Sequence, residues 1–102
     1  VCGGDYKIGK ALAAATGWDE STSNCAVGNE QSTNNATGFS ALPAGCYGYP
    51  SYVFGGAAGF WTTSSYNGDY DADHRDLQSY GDGIFGGSED RYIGFSIRCV
   101  RN

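Results

Sequence analysis

The clearest alternation of apolar and polar positions lies at residues 92–101. Ile93, Phe95, Ile97 and Cys99 alternate with Gly94, Ser96 and Arg98, the period of two that marks a half-buried strand. A strand over 92–100 is therefore predicted to close the core. Residues 39–42 read as a short strand stopped by Pro43, and residues 60–65 as a strand of β-favouring side chains. Residues 71–78 read as a further strand, reached through the turn pair Asn67-Gly68. Only residues 8–16, Ile-Gly-Lys-Ala-Leu-Ala-Ala-Ala-Thr, have a helix-favouring composition. They predict one short helix, capped by Gly17 and anchored at its exit by Trp18. The remainder is loop: polar over 19–37, where Cys25 would hold it down, and rich in Gly and Tyr over 44–58 and 79–87. The predicted core is Phe39, Leu42, Phe60, Trp61, Leu77, Phe95 and Ile97.

Composition sharpens this into a turn-rich fold pinned by large side chains. There are 17 Gly among 102 residues, with eight Tyr, five Phe and two Trp. Average usage of Gly is about 7%, and disordered chains lack aromatic residues. The net charge is −5, and no Lys or Arg occurs between Lys10 and Arg75. Nucleic acid is excluded as a partner, because no basic stripe exists to neutralise phosphates. Membrane insertion is excluded too, since no apolar run approaches the roughly 18 residues that span a bilayer. Four cysteines without a C-x-x-C pair, beside a single histidine, point to two disulfides and an oxidising compartment rather than to zinc. The chain opens at Val1-Cys2 without Met, which suits a mature segment of a longer exported protein.

Candidate chemistry is sparse. Asp69-Tyr-Asp-Ala-Asp-His-Arg-Asp76 is the densest polar cluster. Asp69, Asp71 and Asp73 are a weak alternative for Ca²⁺. The EF-hand pattern fails, with His74 at its sixth place and Tyr80 at its twelfth, so the favoured reading is a solvent-facing strand edge whose charges deter edge pairing. His74 beside Asp73 and Asp76 could serve as a base, but no Gly-x-Ser-x-Gly supplies a nucleophile, and it reads as an inert surface histidine. Asn35-Ala-Thr37 matches a glycosylation sequon by coincidence. The loop tyrosines Tyr47, Tyr49, Tyr52, Tyr66, Tyr70 and Tyr80 carry the best functional signal. Tyrosine offers area, stiffness and one hydroxyl, which suits glycan stacking or a protein interface. The competing reading is that several of them plug a small core. A binding surface is placed on residues 46–54 and 66–80, with Tyr49, Tyr52, Tyr66, Tyr70, Asp71, Asp73 and Arg75 as its contacts.

Three blocks, Gly38-Phe-Ser-Ala-Leu-Pro-Ala-Gly45, Phe60-Trp-Thr-Thr-Ser-Ser65 with Arg75-Asp-Leu77, and Gly94-Phe-Ser-Ile-Arg-Cys-Val-Arg101, occur in an order that resembles the Fibrobacter succinogenes major paralogous domain family. Gly9-Lys-Ala-Leu12 and Thr16-Gly-Trp18 extend the likeness across nearly the whole chain. The resemblance implies an α+β, C-type lectin-like fold: a small twisted antiparallel sheet, one short helix and long Gly/Tyr-rich loops. Residues 1–102 would be a single such domain that starts near the end of the family's first helix, with an N-terminal strand and helix missing or supplied elsewhere. In lectin-like folds a cysteine near the first helix joins the last strand, which implies Cys2–Cys99 and leaves Cys25–Cys46. The resemblance also implies export to the extracellular face of a bacterium. The expected function is a non-enzymatic adhesion module that binds carbohydrate or a protein partner through its loops, without a cofactor. The alternative is a structural subunit or repeat of a surface filament or layer, built by self-association. Tyr52→Ala and Tyr70→Ala should each weaken binding or assembly while circular dichroism stays that of the parent.

Overall fold

A computed structural model describes residues 2, 7–48, 55–67, 71–97 and 101, and within 61–67 it describes the backbone alone. One helical turn, α1 (Gly9–Leu12), precedes five strands: β1 (Cys46–Tyr47), β2 (Ala57–Asn67), β3 (Asp71–Gln78), β4 (Phe85–Asp90) and β5 (Gly94–Phe95). Strands β2, β3 and β4 form an antiparallel meander, and β1 pairs with β5 in a separate two-stranded ribbon. Parallel bridges Gly45–Ala58 and Phe60–Ser96 lay that ribbon along the outer edge of β2. The expected mixture of one short helix and a small antiparallel sheet is thus present. Among the described residues no helix is long and apolar enough to cross a membrane.

The helix stops at Leu12, not at Thr16, although the alanines that follow favour helix. Ala13 is extended (φ −72°, ψ 146°) because its backbone pairs with Ala41. The Ala14 N–H donates to the Ala41 carbonyl at 2.9 Å, and the Ala41 N–H donates to the Leu12 carbonyl at 2.8 Å. Interstrand pairing of a buried backbone outweighs a propensity worth only tenths of a kcal/mol per residue. Gly17 accordingly lies in a bend rather than capping the helix. Trp18 is buried, as an anchor should be. Its indole N–H donates to the Ala14 carbonyl at 3.1 Å, and Gln31 grips its backbone from both sides, accepting from the Trp18 N–H and donating to the Trp18 carbonyl.

The core is small in residue size. Ala13, Ala41 and Ala58 are sealed around Trp18, Val27 and Leu77, with Leu12, Phe39 and Phe60 packed on the rim. Leu77, Phe39 and Phe60 match the predicted core in part, and Phe95 is half-buried. Leu42 and Ile97 do not match, being exposed. The Ala13–Ala41 bridge turns Ala41 inward, so the next residue points out. Among the described residues the last paired position of the final strand is Ser96, and Ile97 beyond it faces solvent. The expected strand at 39–42 is reduced to that one bridge, and the turn region expected over 79–87 gives way to β4 at Phe85. Trp61 falls on residues whose side chains are not described.

The polar loop is held by backbone as well as by sulfur. The Val27 and Gly28 N–H groups donate to the Gly81 and Ser79 carbonyls at 2.9 and 2.6 Å, which inserts Val27 into the core. A Cβ on Gly28 would lie 2.1 Å from the Asp19 carbonyl oxygen, so no other residue fits. Asn35, in a left-handed conformation (φ 72°), uses its side-chain amide to bond Ser40 rather than displaying it. Cys25 is joined to Cys2, with their Cα atoms 5.1 Å apart. This corrects both expected bridges. Cys25 cannot join Cys46, nor Cys2 join Cys99, because the loop folds back under α1 and brings Cys25 to the N-terminal segment. Cys46 stands in β1 opposite Phe95, and Cys99 lies outside the described residues. Non-reducing peptide mapping should recover a Cys2–Cys25 peptide, and Cys25→Ser should cost about 3 kcal/mol in chemical denaturation. Recovery of a Cys2–Cys99 peptide would contradict this arrangement.

Candidate functional site

Of the predicted contacts, Tyr66 falls on β2 and Asp71, Asp73 and Arg75 fall on β3. Strand alternation sets Asp71, Asp73 and Arg75 on one face of β3. Asp73 accepts a 2.6 Å hydrogen bond from the Ser88 hydroxyl on β4. Arg75 is exposed, and one Nη donates to the His74 carbonyl at 2.9 Å. Its guanidinium lies across Gly86, where a Cβ would meet Nη1 at 2.7 Å. The backbone of Tyr66 pairs with Ala72. Tyr49, Tyr52, Tyr70 and Asp69 lie outside the described residues, as does the side chain of Tyr66. Strand β2 carries an irregularity here: the six residues from Trp61 to Tyr66 oppose the three from His74 to Ala72. Strand β3 lies between β2 and β4, which corrects the reading of this acidic stretch as a sheet edge. No group of three or more His, Cys, Asp or Glu side chains able to hold a metal gathers among the described residues.

On the other face of β3, His74 and Asp76 are buried, with His74 Nδ1 3.5 Å from Asp76 Oδ1. His74 is therefore a core residue and not the surface histidine that the sequence suggests. Its ring packs against Phe95 at 5.1 Å between centroids. Phe95 in turn covers Gly59, where a Cβ would fall 2.5 Å from the Phe95 ring. Gln78 donates to the second Asp76 oxygen at 2.8 Å. Sealed in this way, the His–Asp pair orders the junction of β5 with the sheet.

The tyrosines that are described stand in solvent. Tyr47 is 83% exposed, Tyr80 65% and Tyr92 86%, so these rings do not plug the core. Tyr47 sits on β1, its Cα opposite Gly94 of β5. Tyr92 enters the same ribbon through a turn in which the Tyr92 N–H donates to Asp90 Oδ1 at 2.9 Å. The sequence hid Tyr92 by placing it inside the closing strand. Its neighbour Asp90, a turn-forming residue, was the available signal.

Two recesses flank α1. An apolar cleft of about 300 Å³ is walled by Leu12, Phe39, Phe60, Leu77 and Ile84, with Arg75 and Asp76 also lining it. Phe39 and Phe60 meet edge to face there, 6.0 Å apart. On the other side of α1 lies Lys10, buried in spite of its charge. Its ammonium donates to the carbonyls of Ala26 and Glu30 at 3.4 and 3.3 Å, and to that of Asn29. Burial lowers the Lys10 pKa, and the Glu30 charge partly offsets this. Spacing gave no hint of this cage, although a lysine inside an alanine run was a clue that its stem would be covered. No family model, curated protein or solved structure matches the chain.

Lys10→Met should cost about 2 kcal/mol or more, because three carbonyls lose their donor. With the folded pKa below the unfolded value of about 10.4, the unfolded chain binds more protons between the two. This residue's contribution to stability is therefore lost as pH falls through the folded pKa and fully present above about 10.4. Urea melts across that alkaline range should show a rise with pH in the parent relative to Lys10→Met. A difference of opposite slope would refute the assignment.

Proposed function

We propose that this chain is a non-enzymatic binding module of an exported bacterial surface protein, which holds carbohydrate or a protein segment on exposed aromatic rings. The observation that carries the reading is an inversion of residue size. Among the described residues, alanines make up half of the sealed core cluster beside Trp18, Val27 and Leu77, while Tyr47, Tyr80 and Tyr92 project into solvent. An exposed tyrosine on a paired strand loses little further freedom when a ligand stacks on it, and it contributes both apolar area and a hydroxyl. The Cys2–Cys25 disulfide suits an oxidising compartment outside the cytosol. The apolar cleft beside α1 offers a second hold, sized for one side chain of a protein partner. The resemblance to the Fibrobacter succinogenes paralogous domains, with their lectin-like fold, supports the same reading. The buried His74–Asp76 pair speaks against hydrolytic chemistry at the densest polar cluster.

The test is binding to a glycan array and to immobilised polysaccharides, followed by titration of the strongest hit. Tyr47→Ala and Tyr92→Ala should each weaken that binding about tenfold, which is about 1.4 kcal/mol, with unchanged circular dichroism. If both variants bind as the parent does, the ribbon is not the site.

A further inference from the structure

Residues 25–30 form a short loop whose two ends lie in the left-handed region. Cys25 has φ 62° and Glu30 has φ 46°. Neither is glycine, and neither has the short amide or carboxylate side chain that eases this conformation, so both ends are strained. Such residues persist only where their surroundings hold them.

Two ties hold this loop. The first is the disulfide from Cys25 to Cys2, which lies 23 residues earlier. The second is Lys10, whose ammonium donates to the carbonyls of Ala26, Asn29 and Glu30, all of them within the loop. The far side of the loop rests on the 79–81 turn through the Val27 and Gly28 N–H groups. Releasing Cys25 therefore loosens the cage around Lys10 while Val27 keeps its seat in the core. The bridge also faces a recess. Cys2 is exposed whereas Cys25 is buried, and both line a recess of about 300 Å³ whose wall includes Lys10, Asn29 and Glu30. A thiol entering there meets the sulfur of Cys2 first, and the bond then breaks toward Cys25. The Lys10 cation in the same wall favours a departing thiolate.

We propose that Cys2–Cys25 is a site of thiol–disulfide exchange with a dithiol, and that its reduction uncages the Lys10 amine. A thiolate of the dithiol attacks Cys2 Sγ, the bond between Cys2 and Cys25 breaks, and Cys25 leaves as thiolate. The second sulfur of the dithiol, as thiolate, then attacks the first within the mixed disulfide and expels the Cys2 thiolate. Both electrons come from the dithiol, which ends as a disulfide, and the two protons that it sheds end on Cys2 and Cys25. Freed from the bridge, Cys25 leaves the left-handed region. Ala26 and its neighbours shift with it, and the carbonyls that held the ammonium separate. The bridge is thus a chemical latch on a lysine as well as a staple. This inference is independent of the ligand reading, since Tyr47 and Tyr92 take no part in it.

Reductive methylation of the full chain, read by peptide mass, tests the proposal. Lys7 and Lys10 are the only lysines, and Lys7 is exposed, so it serves as the internal reference. In the oxidised parent Lys10 should react more slowly than Lys7. Dithiothreitol without denaturant should open the bridge, seen as alkylation of Cys2 and Cys25. It should also speed Lys10 at least about tenfold, the equivalent of one strained left-handed residue, with the Lys7 rate and the circular dichroism unchanged. Cys25→Ser should behave as the reduced parent does. Cys25→Gly lacks the bridge but takes a positive φ at no steric cost, and should keep Lys10 at least about threefold slower than Cys25→Ser. A bridge that resists dithiothreitol until the chain unfolds, a Lys10 rate that reduction leaves unchanged, collapse of the circular dichroism spectrum on reduction, or equal Lys10 rates in the two variants would overturn the proposal.

Discussion

Everything in this fold depends on how closely two stretches of backbone approach at Ala13 and Ala41. Side chains larger than a methyl group at those positions would push the chains apart and break the bonds from Ala14 and Ala41. The approach ends α1 after one turn, aims Trp18 into the space between loop and sheet, and sets Leu12 against Phe39 and Phe60. A core built from alanines gains little from hydrophobic burial per residue, at about 25 cal/mol per Å². The remaining cohesion therefore comes from directed bonds: Gln31 on Trp18, Lys10 on three carbonyls, and Val27 and Gly28 on the 79–81 turn.

This balance explains what was legible in the sequence. Strand β3 over 71–78 was readable because Asn67-Gly68 marks a hairpin, and the span agrees with the structure. The single helix was readable in existence but not in length, because local alanine propensity says nothing about Ala41 lying alongside. The closing strand was overread. Its alternation is genuine, but a turn runs through Asp90–Ile93 where the strand was expected to start, and Ile97 faces solvent. The disulfide was misassigned because pairing is decided by where a loop returns, and the return of residues 25–30 to Lys10 is a tertiary event without a local signature. Within the candidate site, the shared face of Asp71, Asp73 and Arg75 follows from strand period. The burial of His74 and Asp76 does not, since it depends on Phe95 arriving from residues far along the chain.

Polar groups do much of the organising that apolar groups do in larger domains. Lys10 behaves as an internal cation, gathering carbonyls as a bound ion would, with the difference that its position is fixed by the chain. His74 and Asp76 play a comparable part under Phe95. Such centres tolerate conservative changes poorly, because an amide or a methyl in place of the charge leaves partners unsatisfied in a dry environment.

The irregularity in β2 has a consequence for how this chain can vary. Between Trp61 and Tyr66 the strand already carries three residues that have no counterpart on β3. The pairings on one side, Ala58 with Leu77 and Phe60 with Arg75, and on the other, Asn67 with Asp71, are set independently of that excess. Added or removed length is absorbed within 62–65 without disturbing the register to either side. The bulge is thus a natural graft point, where a foreign peptide or a fluorescent reporter can be carried on the sheet while the alanine-centred interior stays as it is.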